Sequence, residues 1–149
     1  MQDLIIKNRA DIEATKAGSD GNVFYIKPVV AGADIDTCSA AFIEVPVGNH
    51  AFGFHYHDQS EEIFYIVSGE GTFRGHDGER PVKAGDMLCF PCGEKGAHVV
   101  SNASATEPLV FIDFDVKASK ADIVMFPDTG KIMIHGEHIR AMVDAPAAA

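Results

Sequence analysis

Two histidines standing two residues apart, His55 and His57, carry the chemistry of this chain, with Glu61 and Glu62 just after them and His98 farther on. In an extended strand, residues i and i+2 leave the backbone on the same face, so both imidazoles can grip one ion. A helix would turn them about 200° apart. Phe54, Tyr56 and the run Ile63-Phe64-Tyr65-Ile66-Val67 are aromatic or β-branched, which favours strands. His98 follows a strand begun by Gly85 and a turn through Pro91 and Gly93. Three imidazoles and a carboxylate make a mixed N/O donor set suited to one divalent transition metal, with Zn, Fe, Mn, Ni, Cu and Co all eligible. Neutral imidazoles add no charge, so one carboxylate leaves a net charge of about +1, enough to polarise a carbonyl or acidify bound water. Each imidazole also requires an outer partner for its second nitrogen, which the sequence does not name.

The two stretches resemble the paired motifs of the cupins, written G-x5-HxH-x3or4-E-x6-G and G-x5-PxG-x2-H-x3-N. His55, His57, Glu62 and Gly69 fit the first, whereas taking Glu61 as the acid would put Ser68 at the glycine position. Six residues rather than five separate Gly48 from His55. Gly85, Pro91, Gly93, His98 and Asn102 fit the second, with four residues rather than two between Gly93 and His98. The resemblance is nearest to small single-domain cupins likened to the C-terminal domain of mannose-6-phosphate isomerase. It implies an all-β, double-stranded β-helix (jelly-roll) barrel with a metal near its mouth, held by His55, His57, Glu62 and His98, and a structural role for Asn102. It also implies a small-molecule ligand in the barrel and a homodimer. Sugar isomerisation does not follow from a shared fold. A metal-dependent isomerase, lyase or dioxygenase acting on a small polar metabolite is the expected function, and a non-catalytic binding or sensing module is the alternative. No further acid/base pair stands out beside the ligands.

Other candidates have plainer explanations. Lys95, and less so Arg74 and Lys83, could hold a substrate anion but read as solvated charges. Cys89 and Cys92 form a CxxC that straddles a strand end and a turn, whereas redox pairs sit at a helix start where a thiol pKa falls. His135 and His138 resemble a ligand pair in a turn without a third donor. Phe64, Ile66 and Val100 share the ligand face and read as core. Phe54, Tyr56 and Tyr65 lie out of phase and read as packing on the other sheet or a partner. Neither a GxSxG elbow nor a GxxxxGK[ST] phosphate loop occurs.

The chain of 149 residues suits one domain, with the barrel core over about 38–116, an N-terminal arm before it and a C-terminal hairpin and tail over 117–149. A net charge of −10 disfavours nucleic acid and anionic membranes as partners. The N-terminus reads as no signal peptide, and three cysteines in such a chain suggest reduced thiols in the cytoplasm. Short strands punctuated by Gly and Pro every 8–12 residues indicate a sandwich or barrel. Short helices are expected near Asn8 to Lys16 and Glu137 to Val143, a turn at Gly18 to Gly21, a loop around Gly32 to Asp34, and fraying over Ala145 to Ala149. Asp113, Asp115 and Lys117 alternate with Ile112, Phe114 and Val116, so the charged face of that strand is expected to be wet.

Overall fold

A computed structural model describes residues 3–19, 21–30 and 37–146. The Gly32 to Asp34 loop, Asp20 of the early turn and the last three alanines lie outside the described residues. In chain order the strands are β1 (Thr15–Ala17), β2 (Phe24–Val30), β3 (Cys38–Val45), β4 (His50–His57), β5 (Ser60–Ser68), β6 (Glu70–Gly75), β7 (Gly78–Lys83), β8 (Met87–Phe90), β9 (His98–Asn102), β10 (Leu109–Lys117), β11 (Asp122–Phe126), β12 (Lys131–His135) and β13 (Arg140–Asp144). Two antiparallel sheets face each other, ordered β1-β2-β3-β10-β5-β8 and β13-β12-β11-β4-β9-β6-β7. This is the jelly-roll arrangement, but as a sandwich whose two sheets are not joined by hydrogen bonds into a closed barrel.

Alternation fills the space between the sheets. Ile43 and Val45 from β3, Phe64 and Ile66 from β5, Val100 from β9, and Leu109 and Phe111 from β10 are almost wholly buried. Phe64 packs its ring 4.5 Å from Phe111 and 5.0 Å from Phe90, so aromatic contacts tie both flanks of β5 together. Leu109 and Phe111 decide the phase of β10. Because side chains alternate with period two, Asp113 and Asp115 must follow them inward, while Phe114 and Val116 turn to solvent at 37% and 39% exposure. The charged face expected to be wet is therefore the inner one.

Both expected terminal helices are corrected. Asn8 caps a single 3-10 turn, Arg9–Asp11, by accepting the Ala10 N–H, and the chain then extends into β1 instead of continuing as a helix. Arg140–Asp144 forms β13, paired residue for residue with β12 from His135↔Arg140 to Lys131↔Asp144. A seven-residue helix would have been marginal in isolation, whereas the edge of β12 offers a ready ladder of hydrogen bonds. Asn102 is the structural residue expected of it. Its buried amide donates to the carbonyls of Val45 (2.9 Å) and Glu107 (2.8 Å), and its oxygen accepts the Ser104 N–H.

Candidate metal centre

Three strands and one turn bring the candidate ligands together. His55 and His57 sit on β4, Glu62 on β5 and His98 on β9, with His55 directly across from His98. The β4–β9 register shifts between Ala51 and His55, in the segment whose length departs from the motif. Phe52 there takes a φ of +62° and Gly53 one of +91°. The left-handed conformation is costly for phenylalanine. It turns Phe52 into the core against Phe24 (4.6 Å), while His55 also faces inward.

The longer turn before His98 is a 3-10 turn, Glu94–Gly96, anchored by the Gly93 N–H donating to the His57 carbonyl at 2.8 Å. Gly96 is required there, since a Cβ would lie 1.8 Å from the Pro91 carbonyl oxygen.

The imidazoles are oriented through their Nδ1 atoms. His55 Nδ1 donates to the Gly53 carbonyl at 2.9 Å, His98 Nδ1 to the Gly96 carbonyl at 2.8 Å, and His57 Nδ1 to the Asp122 carboxylate at 2.7 Å. Acceptors at Nδ1 place the proton there and leave Nε2 as the donor atom for an ion. Those three Nε2 atoms lie 3.6, 3.4 and 3.1 Å (His55, His57, His98) from Glu62 Oε2. Glu62 Oε2 and His98 Nε2 are buried without any hydrogen-bond partner. Lone pairs facing a carboxylate oxygen at these distances repel unless a cation lies among them. Ligand atoms bound to one ion at about 2.1 Å stand about 3 Å apart when adjacent, so His55, Glu62 and His98, which form one donor cluster, fit a divalent metal, while His57 reaches the same Glu62 oxygen.

The electrostatics agree. Burial opposes ionisation of Glu62, yet the three surrounding imidazoles hold its carboxyl well below the usual range. Burial lowers the His98 pKa and keeps that ring neutral. Burial would also lower His57, but the Asp122 and Glu62 carboxylates outweigh it and raise its pKa to about 10 when no cation is bound. Asp122 is correspondingly held at about 2, the bond from His57 overcoming the effect of burial.

Four residues that sequence reasoning did not place at the site border this centre. Asp115 stands opposite Glu62 in the β5–β10 register, and Asp113 opposite Phe64. A second donor cluster joins His57, Glu62 and Asp115, their ligand atoms within 4.8 Å of one another. Burial and the nearby Glu62 charge push Asp113 well above the ordinary carboxylate range and raise Asp115 as well. The phase set by Leu109 and Phe111 was the available signal for these two. Asp122 and Phe126, whose ring stacks 5.7 Å from His55, come from β11, where no local pattern announces them.

The remaining sequence candidates are dispersed. Lys95 lines a cavity of about 480 Å³ between β6–β7 and β8 whose lining includes none of the four candidate ligands. Arg74 lies 4.0 Å above the Phe54 ring and pairs with Asp128, so Phe54 packs within its own sheet and not against the other one. Tyr65 is exposed. Cys89 and Cys92 are unbridged and exposed, and burial with the Glu61 charge raises the Cys92 pKa, opposite to a reactive thiol. Among the described residues, neither the cysteines nor His135 and His138 enter a donor cluster.

Comparisons with known proteins point the same way. The Oxalate-binding protein of Thermotoga maritima is 36% identical over 67 residues, which is 45% of this chain and 53% of that protein. The chain thus spans about half the length of this curated relative. A solved structure of a candidate sugar phosphate isomerase from Acidithiobacillus ferrooxidans superposes with a TM-score of 0.77 at 25% identity, covering 91% of this chain and 86% of the other. A sugar phosphate isomerase of the cupin superfamily from Silicibacter pomeroyi gives 0.81 at 16% identity over 95% and 96%, a likeness of fold alone. The Cupin domain model matches residues 41–115, half of the sequence and all four candidate ligands. By that match, and by its two facing antiparallel sheets, the chain belongs to the cupin family.

Proposed function

We propose that this cupin is a metal-dependent enzyme that holds one divalent transition metal through His55, His57, Glu62 and His98 and acts on a small polar metabolite by isomerase, lyase or dioxygenase chemistry. The observation that carries the reading is the convergence of three Nε2 atoms on Glu62 Oε2 at 3.1–3.6 Å, with buried donor atoms left unpartnered. Bound there, the metal would supply Lewis acidity toward a carbonyl, carboxylate or hydroxyl oxygen. The protein's part is to fix the rings through their Nδ1 atoms and to keep water out. Phe90 stacks flat on His98 at 3.7 Å, Phe64 meets the same ring edge-on at 5.2 Å, and Phe126 covers His55. The name of the Acidithiobacillus ferrooxidans neighbour supports isomerase chemistry on a sugar phosphate as one form of this reading.

Metal analysis of the purified protein, followed by turnover assays on sugar phosphates, keto acids and phenolic acids, tests it. One equivalent of metal and an activity lost in both His55→Ala and His98→Ala are expected. Activity that survives both substitutions refutes the enzyme reading. The name of the curated relative favours a second reading, in which the same pocket binds a metabolite without turning it over. Turnover of any molecule that binds would end that one.

The proposal includes a homodimer and a cytoplasmic setting. Tyr65, Val67, Met87, Phe114 and Val116 form an apolar patch on the outer face of the six-stranded sheet, which supports pairing. Three free thiols fit a reducing compartment.

A further inference from the structure

The inward charged face of β10 does not stop at Asp115. Lys117 follows two residues on in the same phase, and with Ser39, His57, Asp115, Lys120 and His135 it lines a cavity of about 140 Å³. The cavity opens beside the metal ligand His57, between β10 and the β11–β12 hairpin.

Both of its acids are hydrogen-bonded within the protein. Asp115 accepts the Ser39 hydroxyl at 2.7 Å. Asp122 accepts His57 Nδ1 at 2.7 Å and the N–H groups of Gln59 and Ile123, both at 2.8 Å. The cations are less committed. Among the described residues Lys117 forms no ion pair, and Lys120 lies 3.7 Å from Glu137 at an exposed rim where such pairs contribute little. The Lys117 ammonium is therefore the charge in this cavity without an ion-pair partner among the described residues, and the complement is a group that only accepts, a carboxylate or a phosphate. Whole-ligand sites run to about 300–1,000 Å³, so a space this small takes one group of a ligand whose remainder extends past His57. Lys117, Lys120 and His135 all lie beyond the span matched by the family model, so this wall belongs to the chain's own C-terminal segment.

We propose that this cavity is the anion subsite of the substrate, with Lys117 as its principal donor. The substrate class is then a small acid or phosphate ester carrying, a few bonds from its charge, an oxygen that reaches the metal. The second half of that statement rests on the metal-dependent reading above, whereas the anion site itself does not.

The test is calorimetric titration of inorganic phosphate and, separately, lactate into the full chain at fixed ionic strength. Wild type, Lys117→Met and Lys95→Met are compared, each loaded with zinc, together with Glu62→Gln to remove the metal. Circular dichroism checks that each variant is folded. One anion should bind more tightly than the other, which distinguishes phosphate esters from carboxylic acids. Lys117→Met should weaken it about tenfold or more, as loss of a charge-assisted hydrogen bond does, while Lys95→Met should leave it within about twofold. Lys117-dependent binding that persists in Glu62→Gln supports the subsite whatever becomes of the metal. Failure of both anions to bind at millimolar concentration, or equal affinity in wild type and Lys117→Met, overturns the subsite and leaves the metal reading standing.

Discussion

Metal binding should displace a proton from His57, and this gives a quantitative pH dependence. Without a cation, the imidazole sits between the Asp122 and Glu62 carboxylates and its pKa stands at about 10. A metal needs the Nε2 lone pair, so the proton must leave. At about pH 7.5 the ring lies some 2.5 pH units below its pKa, and removing the proton costs about 3 kcal/mol, at about 1.4 kcal/mol per unit. His98 is already neutral and Glu62 already ionised at that pH, so neither adds to the cost. The apparent affinity for zinc should therefore climb about tenfold per pH unit from neutrality toward pH 10, with about one proton released per ion. Calorimetry in buffers of different ionisation enthalpy counts the protons, and chelator competition measures the slope. Affinity that is flat between about pH 7 and 9, with no proton released, would refute the assignment of His57 as a ligand trapped between two acids.

The same group sets the stability of the metal-free protein: its folded pKa lies above the unfolded value of 6.5, so its contribution is complete below about pH 6.5 and fades as the pH rises toward 10. The melting temperature of metal-free protein should fall across that window, and zinc should abolish the trend. Asp122→Asn removes the carboxylate that holds His57 Nδ1; zinc affinity should drop about 10–100-fold at high pH, while proton release near neutrality shrinks because His57 is no longer held protonated. Asn102→Ala strands the Val45 and Glu107 carbonyls and should cost about 3 kcal/mol in urea unfolding without changing zinc affinity in the folded protein. Phe114→Lys places a charge in the outer apolar patch; light scattering should find a monomer with zinc affinity intact, and an unchanged dimer would move the interface elsewhere.

Much of this protein is local in origin. The i, i+2 spacing of His55 and His57 within a β-forming stretch marked that pair because a strand's two-residue period is a backbone property, and the resemblance to the cupin motifs added Glu62 and His98. The same period placed Phe64, Ile66 and Val100 inside, and the resemblance to the cupin motifs marked Asn102 as structural. Where local pattern failed, a distant partner had decided the outcome. Arg140 to Asp144 has no strong preference of its own, and the open edge of β12 made it a strand. Asp113 and Asp115 looked solvated until Leu109 and Phe111, filling the core, carried them inward by strand phase. Asp122 lies 65 residues from the histidine it holds, and Lys117 and His135 meet across a cavity only because β10 and β12 belong to opposite sheets. The sequence by itself marked the candidate ligands. Tertiary structure decided which charges surround that ion, because electrostatic partners act through space and leave no period along the chain.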